Sequence, residues 1–285
     1  MGHVAEMTSV TQSLLERPPT SGLGDHVACV WVQQVPHDAP PYPHRTTPNG
    51  SADLIWRLGS ATSLVGPQTG PTEQSLAPGT VIVGIRLRPG AVSAVFGVPA
   101  RELVDRTVRL DDVWPAAAAL DEKLAEMPSP QAAAIGFERE LHAAVRAGAT
   151  PDPLAAEAVH RLVAAPTTEV TAVAAMLDIS QRHLRRRCEA AIGFPPKVLQ
   201  RMFRFQRFLA LARARDDGRP NLGILAAEAG YADQAHLTRE FQRLAGRSPS
   251  TALHEATQHC DGNHDHSASD AAFLPRAAAR PASHV

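Results

Sequence analysis

The 285-residue sequence is poor in cysteine and has no long apolar run. It also lacks the short motifs that carry hydrolytic or nucleotide chemistry. Cys29, Cys188 and Cys260 are odd in number and widely scattered. They fit neither a disulfide framework nor a Cys-x-x-Cys zinc site, as expected of a chain kept in a reducing compartment. An uninterrupted apolar stretch of about 20 residues, the length of a membrane span, is missing. Residues 1–16 carry polar side chains where a signal peptide would place its apolar segment. The expected location is the cytoplasm, with no membrane partner. There is no Gly-x-Ser-x-Gly, no Walker loop, no dinucleotide fingerprint and no His-Glu-x-x-His. The expectation is therefore no enzyme, no cofactor and no metal.

What is present is unevenly distributed. The formal net charge is −1, yet residues 166–255 hold 14 Arg and Lys against 9 Asp and Glu, a net of +5. The remainder is acidic, at −6. Of those 14 basic residues, 13 are Arg and one is Lys197. Arginine suits bidentate contact with phosphate and guanine, so a basic module on an acidic one points to nucleic acid in one half only. A high-GC genome would favour Arg codons too, so composition alone does not decide.

At roughly 100–200 residues per domain, the length suggests about two domains. Residues 1–125 contain short apolar runs at 27–32, 52–58 and 80–87, separated by turn signals such as Pro48-Asn49-Gly50 and Arg88-Pro89-Gly90. This predicts a β-rich domain, with short helices near 91–96 and 99–104. Residues 126–165 become Ala-rich with helical spacing, broken at 148–153, and read as a helical linker. Residues 166–256 are helical nearly throughout. From 257 to 285 the chain turns to His, Asp, Ser, Ala and Pro, which predicts a disordered tail. The expected fold class is α+β in two domains: a mostly-β, barrel-like N-terminal domain, then an all-α domain with two helix-turn-helix units joined by a long helix.

The first unit begins at Val170, whose helical face continues through Val173, Ala174 and Leu177. After the short turn Leu177-Asp178-Ile179, Ser180 is a good N-cap for a second helix with Leu184, Cys188 and Ile192 inward. Gln181, Arg182, Arg185 and Arg186 lie on its outward side, the right chemistry for base edges and phosphates. The second unit repeats this, with Gly230 as helix C-cap, Asp233 as N-cap, and Leu237, Phe241 and Leu244 inward. Gln234, His236, Thr238, Arg239 and Arg243 form its polar face. Between them an amphipathic helix is expected over 197–215, begun by Pro195-Pro196 and ended by Asp216-Asp217-Gly218. A rigid connector would hold two reading helices for successive major-groove turns about 34 Å apart.

The stretch Ala229-Gly-Tyr-Ala-Asp-Gln-Ala-His-Leu-Thr-Arg-Glu-Phe-Gln-Arg-Leu-Ala-Gly-Arg-Ser-Pro249 resembles the signature of the AraC/XylS family of bacterial transcription regulators. Ser180, Leu184, Arg186 and Gly193 also stand where that family places equivalents. The resemblance implies base contacts from Arg182, Arg185 and Arg186, and from Gln234, Ala235 and Arg239. Cys188 departs from the usual Phe, and Ala235 can offer a base only an apolar contact. Segments 48–55, 65–67 and 83–90 resemble an uncharacterised β-rich domain often fused to AraC-type domains. A small-molecule effector or homodimerisation through it is implied, as are double-stranded DNA and RNA polymerase as partners. Neither activation nor repression follows from the residues.

Competing readings concern particular groups. The arginine stripe alone could be a solvated face. Asp53 beside the 48–50 turn suits turn-capping better than effector binding. His254, His259, Cys260, His264 and His266 have ligand-type side chains without a standard metal spacing, and His26, His37 and His44 lack a strand-borne His-x-His. The alternatives to a specific regulator are a non-specific or architectural DNA-binding protein, or a β-domain enzyme or carrier with vestigial DNA binding.

Overall fold

Strands form where the short runs alternate in polarity. In the computed structural model, which describes residues 12–215, 221–259 and 264–274, the first half contains β1 (Ser13–Arg17), β2 (Val27–Gln34), β3 (Tyr42–Thr46), β4 (Asp53–Arg57), β5 (Ser63–Val65), β6 (Thr72–Leu76), β7 (Val81–Leu87) and β8 (Thr107–Arg109). Seven strands make one sheet in the order β8-β5-β4-β7-β2-β1-β9, the last being His264–Asp265 from the far end of the chain. β3 and β6 form a separate two-stranded ribbon. The sheet is open, with β8 and β9 at opposite edges, rather than closed into a barrel.

The period-two alternation of strands gives the sheet two different faces. Val30, Leu54, Trp56, Leu64, Val83 and Ile85 point to one side, all buried, and form the core of the β domain. Against them pack α1 (Ala91–Phe96), α2 (Leu110–Val113), α3 (Leu120–Ala125) and α4 (Pro130–Ala147), with Phe137 and Leu141 fully buried. Burying one such side chain stabilises the fold by about 1.5–3 kcal/mol. The other face carries Glu16, Asp53, Arg57 and Arg86 beside Trp31 and Ile82. Gly84 lets the Trp31 indole lie on the sheet, since a Cβ there would come within 2.0 Å of the ring.

The second half contains α5 (Pro153–Ala164), α6 (Val170–Met176), α7 (Gln181–Ile192), α8 (Pro196–Arg213), α9 (Leu222–Ala229), α10 (Gln234–Ala245), α11 (Pro249–His259) and α12 (Ser267–Asp270). The stretch expected as a helical linker divides between the two cores. α4 belongs to the β core through Phe137 and Leu141, while Ala155, Ala158 and Leu162 of α5 enter the helical one. The dividing point is at 148–152, where Gly148 ends α4 and Asp152 caps α5 by accepting from the Leu154 and Ala155 amides at 3.0 Å. The tail expected to be disordered is ordered over 264–274, because its few apolar residues, Phe273 and Leu274, find the helical core. The 216–218 stop expected after the long helix lies outside the described residues.

α8 is the centre of the helical core. Leu199, Met202, Phe203, Phe205 and Phe208 are buried along it, and Phe205 and Phe208 meet Phe241 of α10 edge-on at 5.0 and 5.6 Å between ring centroids. Its apolar faces are occupied on several sides, and this fixes α6–α7 and α9–α10 on a common scaffold.

Candidate nucleic-acid interface

The two units are closed by the same turn. At the end of α6, Asp178 and Ile179 donate to the Ala175 and Ala174 carbonyls, both at 3.1 Å. At the end of α9, Gly230 and Tyr231 donate to those of Ala227 and Ala226, at 3.0 and 2.9 Å. Both are Schellman closures, which need a left-handed residue at the first position past the helix. Gly230 supplies it at φ 91° and Asp178 at φ 53°, the aspartate being one of the few side chains that tolerate the region. Each second helix is then capped by a side chain: Ser180 accepts from the His183 amide at 3.2 Å, and Asp233 from the His236 amide at 2.6 Å.

Most of the arginine excess is spent inside the molecule. Arg187 reaches Asp152 at 2.7 Å, Arg201 reaches Glu240 at 2.7 Å, and Arg215 pairs with Glu228. Arg204 stacks over Tyr231 at 5.5 Å, and Arg207 donates to the Glu228 carbonyl. These ties between helices were not separable by sequence from the outward residues. Only the helical phase of Arg187, one position past Arg186, gave a sign.

Of the residues expected to read DNA, Gln181, Arg182, Arg185 and Arg186 are all exposed on α7. Arg185 is held by Glu189 at 2.7 Å. On α10, Gln234, Ala235, Thr238, Arg239 and Arg243 are exposed. Thr238 donates its hydroxyl back to the Gln234 carbonyl at 2.9 Å, and Arg243 pairs with Glu240 at 3.1 Å. His236 is only half-exposed, its ring edge-on to Tyr231 at 5.3 Å between centroids. It packs against the turn more than it projects from the helix. Among the described residues, Arg182, Arg186 and Arg239 have no carboxylate partner. Cys188 is fully buried, and burial pushes its thiol up to about 12, which leaves it inert at neutral pH.

The β domain touches the first unit directly. Ser93 of α1 donates to the Ala191 carbonyl at 3.1 Å and accepts from the Ala100 amide at 3.0 Å. Gly193, left-handed at φ 94°, lets the end of α7 lie against Val104, which a Cβ would meet at 2.7 Å. Residues 173–255 match a family described as a helix-turn-helix domain, and residues 15–109 match one described as a domain of unknown function, DUF6597. The C-terminal module is an AraC-type helix-turn-helix domain. The chain bearing this AraC-type domain is a DNA-binding transcription regulator.

No curated protein matches the sequence. Among solved structures, ToxT from Vibrio cholerae O395 is similar at 13% identity and a TM-score of 0.45, over 85% of this chain and 97% of that one. ToxT bound to (E)-4-(8-methylnaphthalen-1-yl)but-3-enoic acid is similar at 14% and 0.44, over 85% and 98%. ToxT of strain SCE256 with a bound unsaturated fatty acid gives 13% and 0.44, over 85% and 95%. Likeness this distant transfers no ligand to this chain.

A cavity of about 1370 Å³ lies between the polar face of the sheet and the helical module. Asp53 and Arg86 face it, joined at 3.0 Å, as do His44, Arg57, Phe203 and Leu253. Asp53 therefore does not cap the 48–50 turn; Asn49 does, accepting from the Ser51 amide at 2.9 Å. Burial pushes His44 down to about 4, helped by the cations Arg86 and Arg57. Glu16, beside them, would be raised by burial but is held at about 2 by His266 and Arg86.

Proposed function

We propose that this protein is a sequence-specific transcription regulator that reads two successive major-groove segments through α7 and α10 and answers to a small molecule held in the cavity behind its β-sheet. The observation that carries the proposal is the exposure of Arg182, Arg186 and Arg239, without acid partners, on the outward sides of two reading helices closed by the same turn. Guanidinium groups left unpaired at a surface are poised for guanine edges and phosphates, each good bidentate pair contributing about 1–3 kcal/mol of discrimination. Gln181, Gln234 and Ala235 would add polar and apolar contacts, while Arg185 and Arg243 must first exchange an acid partner for phosphate. His236 is assigned to the turn.

The test is selection of bound duplexes from a random pool by the full chain, followed by competition of the selected duplex against its scrambled version. A regulator of this kind would prefer the selected site by at least about 10³-fold. Equal affinity for all duplexes with a steep salt dependence would instead indicate a non-specific or architectural protein.

The cavity supports the effector part. Polar groups such as Asp53 and Arg86 stand on the sheet face and apolar groups such as Phe203 and Leu253 on α8 and α11, the mixture that fixes a ligand's orientation while burying its body. A thermal-shift screen of metabolites on the full chain tests it, an upward shift being the expected sign. Self-association through the β domain and contact with RNA polymerase belong to the same proposal, and sedimentation with and without the selected duplex tests the former.

A further inference from the structure

The segment 264–274 enters the site described above through His266, and it is tied at both ends. We infer that it is an internal strap, fastening the edge of the β-sheet to the far end of α8 and so linking the β domain to the helix on which both reading units are built. At its first end β9 adds a short parallel strand to β1, pairing His264 with Leu14 and Asp265 with Leu15. The buried carboxylate of Glu16 then takes the Ser269 amide at 2.9 Å, with His266 at 3.6 Å and Arg86 at 3.8 Å. At its other end Asp270, 7% exposed, receives two nitrogens of Arg213, the contact from Nε being 2.7 Å. Phe273 completes the join against Phe203 of α8, at 6.1 Å between ring centroids.

A buried carboxylate is costly unless paired, and each end of the strap pairs one. Glu16 belongs to the sheet and is partnered by the strap; Asp270 belongs to the strap and is partnered by α8. Since Arg86 also holds Asp53 of β4, charged groups run from the middle of the sheet to Glu16, and the strap's backbone carries the connection on to Asp270 and Arg213 of α8. Losing either end removes the reason for the other carboxylate to stay buried. This distinguishes a strap from two local contacts.

The experiment is amide hydrogen exchange on the full chain and on its Asp270→Asn and Glu16→Gln variants, with far-UV circular dichroism to verify folding. In the wild-type chain the amides of 266–274 should be protected. Each variant should raise their exchange by about tenfold or more and should also loosen the opposite end, β1 in Asp270→Asn and residues 209–213 in Glu16→Gln. Wild-type exchange over 266–274 at the rate of an unstructured peptide would overturn the inference whether or not the variants fold. Loosening confined to each variant's own end would overturn it equally, by reducing the strap to separate contacts. Neither result depends on DNA binding, so a failure here is separate from a failure of the proposed function.

Discussion

At the eighth residue past its cap, the first reading helix buries Cys188 and the second buries Phe241. Phe241 is clasped by Phe205 and Phe208, whereas the first unit fills its smaller interior with the help of outside supports. One is α5, reached through the Arg187–Asp152 pair; the other is the β domain, reached through Ser93 and the close approach at Gly193. The second unit is thus held mainly by aromatic contact with α8, and the first by α5 and the β domain as well. The β domain meets α7 directly through Ser93 and Gly193, and it meets α10 through the cavity, which Phe241 and Ala245 line, and at Gly246, where a Cβ would stand 3.6 Å from Pro71.

Removing the aromatic core should give the largest effect. Phe241→Ala is expected to destabilise the chain by about 3–5 kcal/mol, whereas Cys188→Ala, which deletes one atom, should cost about 1 kcal/mol. Chemical denaturation of both variants checks the comparison, and equal losses would mean that the two cores are not differently built. The converse change, Cys188→Phe, should cost about 1–3 kcal/mol by overpacking, because the interior has closed around the smaller residue.

The outside support has a pH signature that the helical units do not share. His44 is neutral in the folded protein well below its ordinary 6.5, down to about 4, whereas the unfolded chain takes up the proton near 6.5. Stability is therefore complete above pH 6.5 and falls as pH drops toward 4, by about 3 kcal/mol at 1.36 kcal/mol per unit. Glu16 acts in a lower window, its contribution being lost between about 4.5 and 2. In His44→Gln the decline between pH 6.5 and 4 should shrink to the part that His26, also lowered by burial, contributes, while the lower one remains. A denaturation series across pH that shows no such separation would remove the polar face of the sheet from the account.

On DNA, Arg186→Ala and Arg239→Ala should each cost about 1–3 kcal/mol on a selected duplex and relax one position. Addition of a saturating cavity ligand should alter the contribution of Arg239 more than that of Arg186, because the cavity is lined by Phe241 and Ala245 of α10 and by no residue of α7. Competition binding of both variants, with and without the ligand, measures the difference. Equal modulation would place the coupling in α8 instead.

How far these features could be read from the sequence depended on the range of the interaction. Caps, turns and helix phases are local, so Ser180, Asp233, Gly230 and the buried stripe through Leu184 and Cys188 stood out before any coordinates. The arginines were legible as a group, but which of them project was not, because the partners of Arg187, Arg201 and Arg213 lie 35, 39 and 57 residues away. The same distance hid the roles of Asp53 and α4. Asp53 faces Arg86 only once β4 and β7 are neighbours, and an Ala-rich helix carries no mark of the sheet it will cover. The strap was hidden for another reason: its composition is that of a disordered segment, and its order rests on two carboxylates and one phenylalanine.

The smallest expected effect tests the shared turn itself. The Schellman closure asks for a left-handed residue, and the first unit meets the demand with Asp178 where the second uses Gly230. Asp178 is exposed and no side-chain hydrogen bond holds it among the described residues, so its cost is that of an L-residue at positive φ. Asp178→Gly should relieve that strain and return a few tenths to about 1 kcal/mol, part of it offset by the greater freedom of glycine in the unfolded chain. The reverse comparison is harsher. A Cβ at position 230 would come within 2.8 Å of Thr167 Cγ2 as well as meeting the φ penalty, so Gly230→Ala should destabilise by more than about 1 kcal/mol. Thermal denaturation of the pair decides whether the two turns are equivalent in backbone and different only in surroundings. A destabilised Asp178→Gly would mean that the aspartate holds its turn by more than its backbone conformation.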